Sequence, residues 1–368
     1  MITSFRAYLS YKKHLRSCPM TLKTNFAAGT CRLPFEALQN LLKRIFLAAG
    51  ASEHVANILS ANCAGCERDG ALSHGIFRMP GYVSSIRSGW VDPAAVPVLE
   101  TGGSGFLRVD ARNGFTQVAL DFAAQSLKER ARQEGIALLS IRNSHHFSAL
   151  WPDVVPFAEE RLLAIAMVNS FACTAPFDAK VPVFGTNPVA FAAPCDGMVP
   201  MVVDMATSAI ANGDVQIAAR EGFSLPPGLG IDRSGKPTVD PHAVLDGGAL
   251  LTFGGYKGSA ISMLVEVMSA ALTGGKFSYE VDWSDYPGAQ TPHTGQLVIL
   301  IDPDVGRNAQ FSRRVRHLVE RLRLAKVSRL PGDRRLVTRE RSMREGVCLQ
   351  KSDLERMELL AQQRWAST

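Results

Sequence analysis

Two short stretches hold the residue types that do chemistry. In "SHGIFR", His74 and Arg78 stand four apart, so a helical segment would set an imidazole and a guanidinium on one face. Arginine holds a carboxylate through paired N–H···O bonds, and a histidine with its ordinary pKa near ~6.5 exchanges protons around neutrality. The pair suits gripping and protonating one small acid, with Ser73 beside it to orient the ring. The same spacing equally describes a solvated His and Arg on a helix surface. In "RNSHHFSALW", His145 and His146 are adjacent. Neighbouring side chains of an extended loop point to opposite sides, which opposes chelation of one ion by both. No HExxH, no HxH and no nearby acid or thiol completes a metal set. The other reading is a cofactor wall. The stretch leaves an apolar run and enters a helix-like one, and a helix N-terminus offers unpaired N–H groups to a pyrophosphate.

Other motifs fall away on inspection. No GxGxxG occurs, so the usual Rossmann fingerprint is absent. "GIDRSGKP" has Pro237 where a P-loop needs a hydroxyl, and no strand precedes it. Cys63 and Cys66 form a lone CxxC with helix-like flanks, which reads as two core thiols. Seven cysteines without a secretory signal imply free thiols in a reducing, cytoplasmic setting.

The elements that must position these residues follow from periodicity. "LPFEALQNLLKRIFLAAGASEHVANILSANCAGCERDG" repeats apolar residues at three and four, giving two helices with a break at 50–52. The "SHGIFR" segment is expected to be helical, closed by Pro80-Gly81, with a further short helix to Gly89. Alternation predicts strands in "VPVLETGGSGFLRVDARNGFTQVA", then a helix ends on Gly135. "IALLSIRNS" and "LAIAMVNS" read as strands flanking the histidine loop and a helix. Short strands follow in "VPVFGTNPVAF" and "MVVDMATS", then a helix in "YKGSAISMLVEVMSAALTG", a strand in "GQLVILIDP" and a charged helical C-terminus.

A chain of 368 residues, 46% apolar and 20% charged, can bury a large core and suggests two domains. No apolar run approaches the roughly 18 residues of a membrane-spanning helix. The formal charge of +6 owes much to the first nineteen residues, with Arg6, Lys12, Lys13 and Arg16 and no acid. The 40 basic residues less those four leave 36 against 34 acidic ones, which argues against a nucleic-acid surface. "RRVRHLVERLRLAK" reads as a solvated helix face. The acid-free leader reads as an upstream extension, with Met20 as the effective start.

"DGALSHGIFRMPGYV", "RNSHHFSALW", "FGTNPVAFAAP", "VVDMATSAIANGDVQ", "GIDRSGKPTVDP", "GALLTFGGYKGSAISMLVE" and "ALTGG", in this order, resemble the malate/L-lactate dehydrogenase family that is unrelated to Rossmann-type dehydrogenases. "HHFSALWPDV", "GDVQIAAREG", "DWSDYPGAQTPHTGQL" and "LPGDRR" are most similar to its cyclic-ketimine branch, the Δ1-piperideine-2-carboxylate/Δ1-pyrroline-2-carboxylate reductases. The resemblance implies an α/β (α+β), non-Rossmann, two-part fold. A discontinuous substrate and dimerisation domain at 23–140 and 300–368 would flank a central, mostly antiparallel NADPH-binding domain at 141–299, with 1–22 an unmatched extension. It implies a homodimer that reduces a cyclic imine with NADPH, or else a 2-hydroxy-acid dehydrogenase. By the same resemblance His74 is the proton donor, Ser73 and Asp214 its relay, and Arg78 the carboxylate holder, with Thr186 near the substrate. His146, Phe147, Ser148, Ala149, Leu150, Ser170, Asp204, Met205 and Ala206 would line the cofactor. Lys257, Gly332, Asp333 and Arg334 would sit near its phosphates. His146 is the runner-up acid/base, and His145 a structural residue. Pro152 and Pro156 depart from the family's helix, which must start late or kink.

Overall fold

The computed structural model describes residues 29–100, 103–305 and 310–363. The leader lies outside them. The chain begins with β1 (Thr30–Leu33), α1 (Phe35–Ala48) and α2 (Glu53–Arg68). The break between the helices falls where periodicity put it, and Ser52 caps α2 by accepting the Val55 N–H. After two 3₁₀ turns comes α3 (Met79–Arg87), then β2 (Val98–Glu100), β3 (Phe106–Phe115), α4 (Thr116–Glu134) and β4 (Ile136–His145). Next are α5 (Val155–Glu159), β5 (Leu163–Val168), β6 (Val189–Ala193), β7 (Met201–Met205) and α6 (Asn212–Glu221). A small sheet of β8 (Gly230–Ile231), β9 (Pro237–Thr238) and β10 (Ala249–Leu250) encloses α7 (Pro241–Leu245). The chain ends with α8 (Tyr256–Glu266), β11 (His293–Ile301), α9 (Phe311–Leu324), α10 (Asp333–Glu345), β12 (Val347–Gln350) and α11 (Lys351–Gln362).

Seven strands form the main sheet in the order β2-β3-β4-β11-β5-β6-β7. Only β3 and β4 pair in parallel, joined by α4; every other neighbouring pair is antiparallel. The fold is thus a mixed α/β sheet. β4 and β5, consecutive strands in sequence, do not touch, because β11 inserts between them. Pro156 sits in the first turn of the short α5, which starts late as Pro requires.

Two large apolar cores result, with smaller clusters beside them. One joins α1, α2 and α3 through Leu38, Leu42, Phe46, Leu59, Met79 and Tyr82 and takes in Val347 and Leu349 from β12. The other packs Leu127 of α4 and Phe157 of α5 on Leu139, Ile141, Val298 and Leu300 of the sheet. Pairing of β1 with β12 brings both ends of the described chain together. A boundary at 140/141 falls inside β4, and one at 299/300 falls inside β11.

Candidate active site

"SHGIFR" is not α-helical. It forms two 3₁₀ turns, Leu72–His74 and Ile76–Arg78, broken at Gly75, which run straight into α3. Pro80 lies in the first turn of α3, where its missing N–H has no helical partner to lose, so it opens a helix where it was expected to close one. The tight turns still bring the expected pair into one site. Ser73 Oγ lies 3.1 Å from His74 Nδ1. Burial, the charge of Arg78 and the proximity of His146 pull the His74 pKa down to about 3, so the free imidazole is neutral at neutral pH. The ordinary value assumed from sequence does not apply.

The Arg78 guanidinium carbon lies 4.3 Å from the centroid of the Phe147 ring, and its Nη1 donates to Gln216 Oε1 at 3.4 Å. Its Nε is buried without a hydrogen-bond partner. Burial lowers its pKa to about 10, opposed by Tyr82 and Asp214. An unpaired buried donor on a charged group is costly, and an incoming carboxylate relieves that cost. α6 closes this side of the site. A Cβ at Gly213 would lie 2.7 Å from Arg78 Nη2 and 2.9 Å from Ser73 Cβ, so only glycine allows the helix this near. Asp214 follows Gly213 in the first turn of α6. It is exposed and makes no hydrogen bond to Ser73 or His74 among the described residues; it acts on Arg78 by charge. On the same helix Gln216 takes the hydrogen bond from Arg78.

His146 Nε2 meets Asp153 Oδ2 at 3.0 Å, both side chains buried, and Gln296 Nε2 donates to the same oxygen at 2.6 Å. A carboxylate at Nε2 keeps the proton there, leaving Nδ1 as the acceptor. His145 faces the other way. Its nitrogens meet Asn113 Oδ1 at 2.9 Å and Thr291 Oγ1 at 3.0 Å, and the Trp90 and His293 rings sit edge-on to it. It is a structural residue.

The rest of the histidine loop turns its side chains away. Phe147 joins the helical core, Ser148 donates to Asn62 Oδ1, Ala149 packs near Cys66 and Trp151, and Leu150 enters the sheet core. Phe147 also lies against Arg78, so its ring borders the same site as His146. The Leu150 and Trp151 N–H groups donate to Asp204 Oδ2 at 3.0 and 2.8 Å. A carboxylate from β7 therefore occupies the donors expected to receive a pyrophosphate. Arg335 Nη1 lies 4.0 Å from that oxygen, with its guanidinium 5.1 Å from the Trp151 ring centroid. A cavity of about 60 Å³ lined by Trp151, Val202, Gly332, Arg335 and Arg339 lies alongside. Asp333 accepts the Leu330 N–H at 2.9 Å, whereas Arg334 is exposed.

Ser170 and Thr186 are half-buried on loops tied together from beneath. Buried Glu266 accepts from Asn187 Nδ2 at 2.9 Å and Asn169 Nδ2 at 3.3 Å, and Thr207 N donates to Thr186 O at 2.9 Å. Met205 is exposed and Ala206 half-buried at the end of β7. Lys257 is exposed on the first turn of α8, and no hydrogen bond or ion pair among the described residues ties it to either cluster. Sequence reasoning missed Asp153, Gln216, Glu67 and Glu266. Gln216 lay within a quoted motif, "GDVQ", but nothing marked it against Asp214.

Fold and site together describe an oxidoreductase that handles a small acid without a Rossmann nucleotide fingerprint. The chain belongs to the malate/L-lactate dehydrogenase family, whose profile matches residues 33–358. It is 58% identical over 332 residues to the Δ1-pyrroline-2-carboxylate/Δ1-piperideine-2-carboxylate reductase of Pseudomonas syringae pv. tomato, covering 90% of this chain and 97% of that one. The reductase of the same description from Pseudomonas putida is 56% identical over 324 residues, covering 88% and 95%. The crystal structure of Δ1-piperideine-2-carboxylate reductase from P. syringae superposes with a TM-score of 0.88 at 57% identity, over 90% of this chain and 99% of that one. A dehydrogenase from Sinorhizobium meliloti superposes at 0.82 with 29% identity, covering 90% and 98%.

Proposed function

We propose that this chain is an NADPH-dependent reductase of cyclic ketimine carboxylates, converting Δ1-piperideine-2-carboxylate to pipecolate and Δ1-pyrroline-2-carboxylate to proline. The observation that carries the reading is the unpartnered Nε of Arg78 in the same small site as the Ser73–His74 pair. Arg78 takes the substrate carboxylate. That charge cancels one of the influences holding His74 down, so the imidazole regains basicity as substrate arrives. His74 then handles the proton of the ring nitrogen while Ser73 steadies Nδ1. Bound NADPH supplies the hydride for the imine carbon.

For the cofactor, His146 and the backbone of residues 147–150 form one wall, with Ser170, Asp204, Met205 and Ala206 beside it and Thr186 toward the substrate. Gly332, Asp333, Arg334 and Lys257 are assigned to its phosphates. The fit rests on buried atoms that lack partners around this wall, Asn169 Oδ1 and Gln296 Oε1, which a bound group can satisfy. In this reading residues 141–299 form the cofactor part, and the remaining part comes from both ends of the chain, at 23–140 and 300–368. A homodimer belongs to the same reading. Tyr256, Met263, Leu264 and Val267 make an exposed apolar stripe along α8 and its π-turn continuation, a surface a second subunit would cover. No helix among the described residues is long and apolar enough to cross a membrane. The six cysteines among them are thiols, which supports a cytoplasmic setting.

The test is NADPH oxidation against cyclic imines and 2-oxo acids under identical conditions. kcat/KM for either imine should exceed that for pyruvate or oxaloacetate by at least ~100-fold, roughly 2.7 kcal/mol of discrimination. A 2-oxo acid that matches the imine replaces this reading with a 2-hydroxy-acid dehydrogenase.

A further inference from the structure

The two turns that carry His74 and Arg78 are held by a residue outside the site. Glu67, in the last turn of α2, is only 6% exposed, and its Oε2 accepts the Ile76 N–H at 3.0 Å. Its carboxylate packs close against Gly75. A Cβ at Gly75 would come within 2.0 Å of Oε2 and 3.0 Å of Glu67 Cβ, so the contact exists only because that residue has no side chain. Gly75 is the junction of the turns: its N–H donates to Leu72 O at 3.3 Å, and its carbonyl accepts from Arg78 N at 3.0 Å. One carboxylate therefore grips the peptide link between the imidazole and the guanidinium.

We infer that Glu67 is a positioning residue for the proposed reduction, holding the Gly75–Ile76 peptide so that His74 and Arg78 address one substrate. The inference rests on the assignment of those two residues above. Arg220 of α6 and Asp353 of α11 are the charges that face Glu67, paired with each other at 3.6 Å, and Cys63 lies one turn earlier on its own helix. The clamped segment offers Glu67 the Ile76 N–H. Burial first, then Asp353, raises the Glu67 pKa to about 7 against the pull of the Ile76 N–H and of Arg220, so the clamp ionises near neutrality. An ionised carboxylate binds an N–H about twice as strongly as a neutral oxygen, so the grip tightens as pH rises.

Glu67→Gln keeps a neutral acceptor in the same shape, and Glu67→Leu removes it. The experiment measures kcat/KM for the imine and Kd for NADPH in the wild type, E67Q, E67L and H74N from about pH 6 to about pH 9. E67L should lose about tenfold or more in kcat/KM with its NADPH Kd unchanged, and E67Q should recover most of that loss. The ratio of wild-type to E67Q activity should rise through neutrality and approach one on the acid side. Wild-type behaviour of E67L, equal loss in E67Q and E67L, or a ratio flat with pH overturns the inference. Should E67L fail to fold, the E67Q ratio decides alone. Full activity in H74N overturns the site assignment itself, whichever way the Glu67 variants behave.

Discussion

Arg78 and Arg335 are two half-buried guanidinium groups in similar settings with opposite states of satisfaction. Each lies over an aromatic ring, Phe147 at 4.3 Å and Trp151 at 5.1 Å, and burial lowers the pKa of each. Arg335 has a carboxylate, Asp204, at 4.0 Å. Among the described residues Arg78 has no ion pair, only a neutral amide from Gln216, and a buried Nε with nothing to donate to. A guanidinium that burial leaves uncompensated is a standing receptor for an anion, whereas one already facing a carboxylate must share. In the proposed reduction Arg78 receives a carboxylate that comes and goes. Any phosphate at Arg335 competes with Asp204.

The largest effect is expected at the imidazole beside Arg78. His74→Asn should lower kcat by about a thousandfold, within the usual range for a lost proton-transfer group, while NADPH still binds. Near wild-type turnover would move the proton to His146. Arg78→Gln should cost about a hundredfold in kcat/KM for the imine, since a buried charged contact to the substrate is gone. The loss should fall mainly on KM. It should also release His74 from a neighbouring positive charge and raise its pKa, visible by NMR titration of the imidazole. A His74 signal unmoved by the substitution would separate the two residues.

Smaller effects are expected at the second guanidinium. Replacing Arg335 by Gln should reduce the preference for NADPH over NADH by roughly tenfold, and the same change at Arg334, assigned with it to the phosphates but exposed, should reduce it by a smaller factor. Asp204→Asn keeps an oxygen for the Leu150 and Trp151 N–H groups but removes the competing charge, so it should raise NADPH preference by a few fold. Unchanged cofactor selectivity in both Arg335→Gln and Asp204→Asn would remove this region from phosphate recognition.

Local order was legible in the sequence wherever one periodicity ran unbroken. α1, α2 and the strands β4, β5 and β11 lie where their apolar spacing put them, because a helix or strand with one buried face writes its period into the residues of that face, whereas α4 begins at Thr116, inside the stretch read as strand. The residue types of the site were legible too: Ser73, His74 and Arg78 do meet. Tertiary structure alone decided the rest. That β11 separates β4 from β5 depends on a pairing between segments far apart in the chain, which no local pattern records. Pro80 opens a helix instead of ending one because its surroundings supply a preceding turn. The donors of Leu150 and Trp151 are filled by Asp204 from another strand, Gly213 lets α6 approach Arg78 and Ser73, and Glu67 reaches His74's turn only across the face of Gly75. Residue type sets what a side chain can do; burial and the charges packed around it, which only the folded chain brings together, set the pKa at which His74 does it.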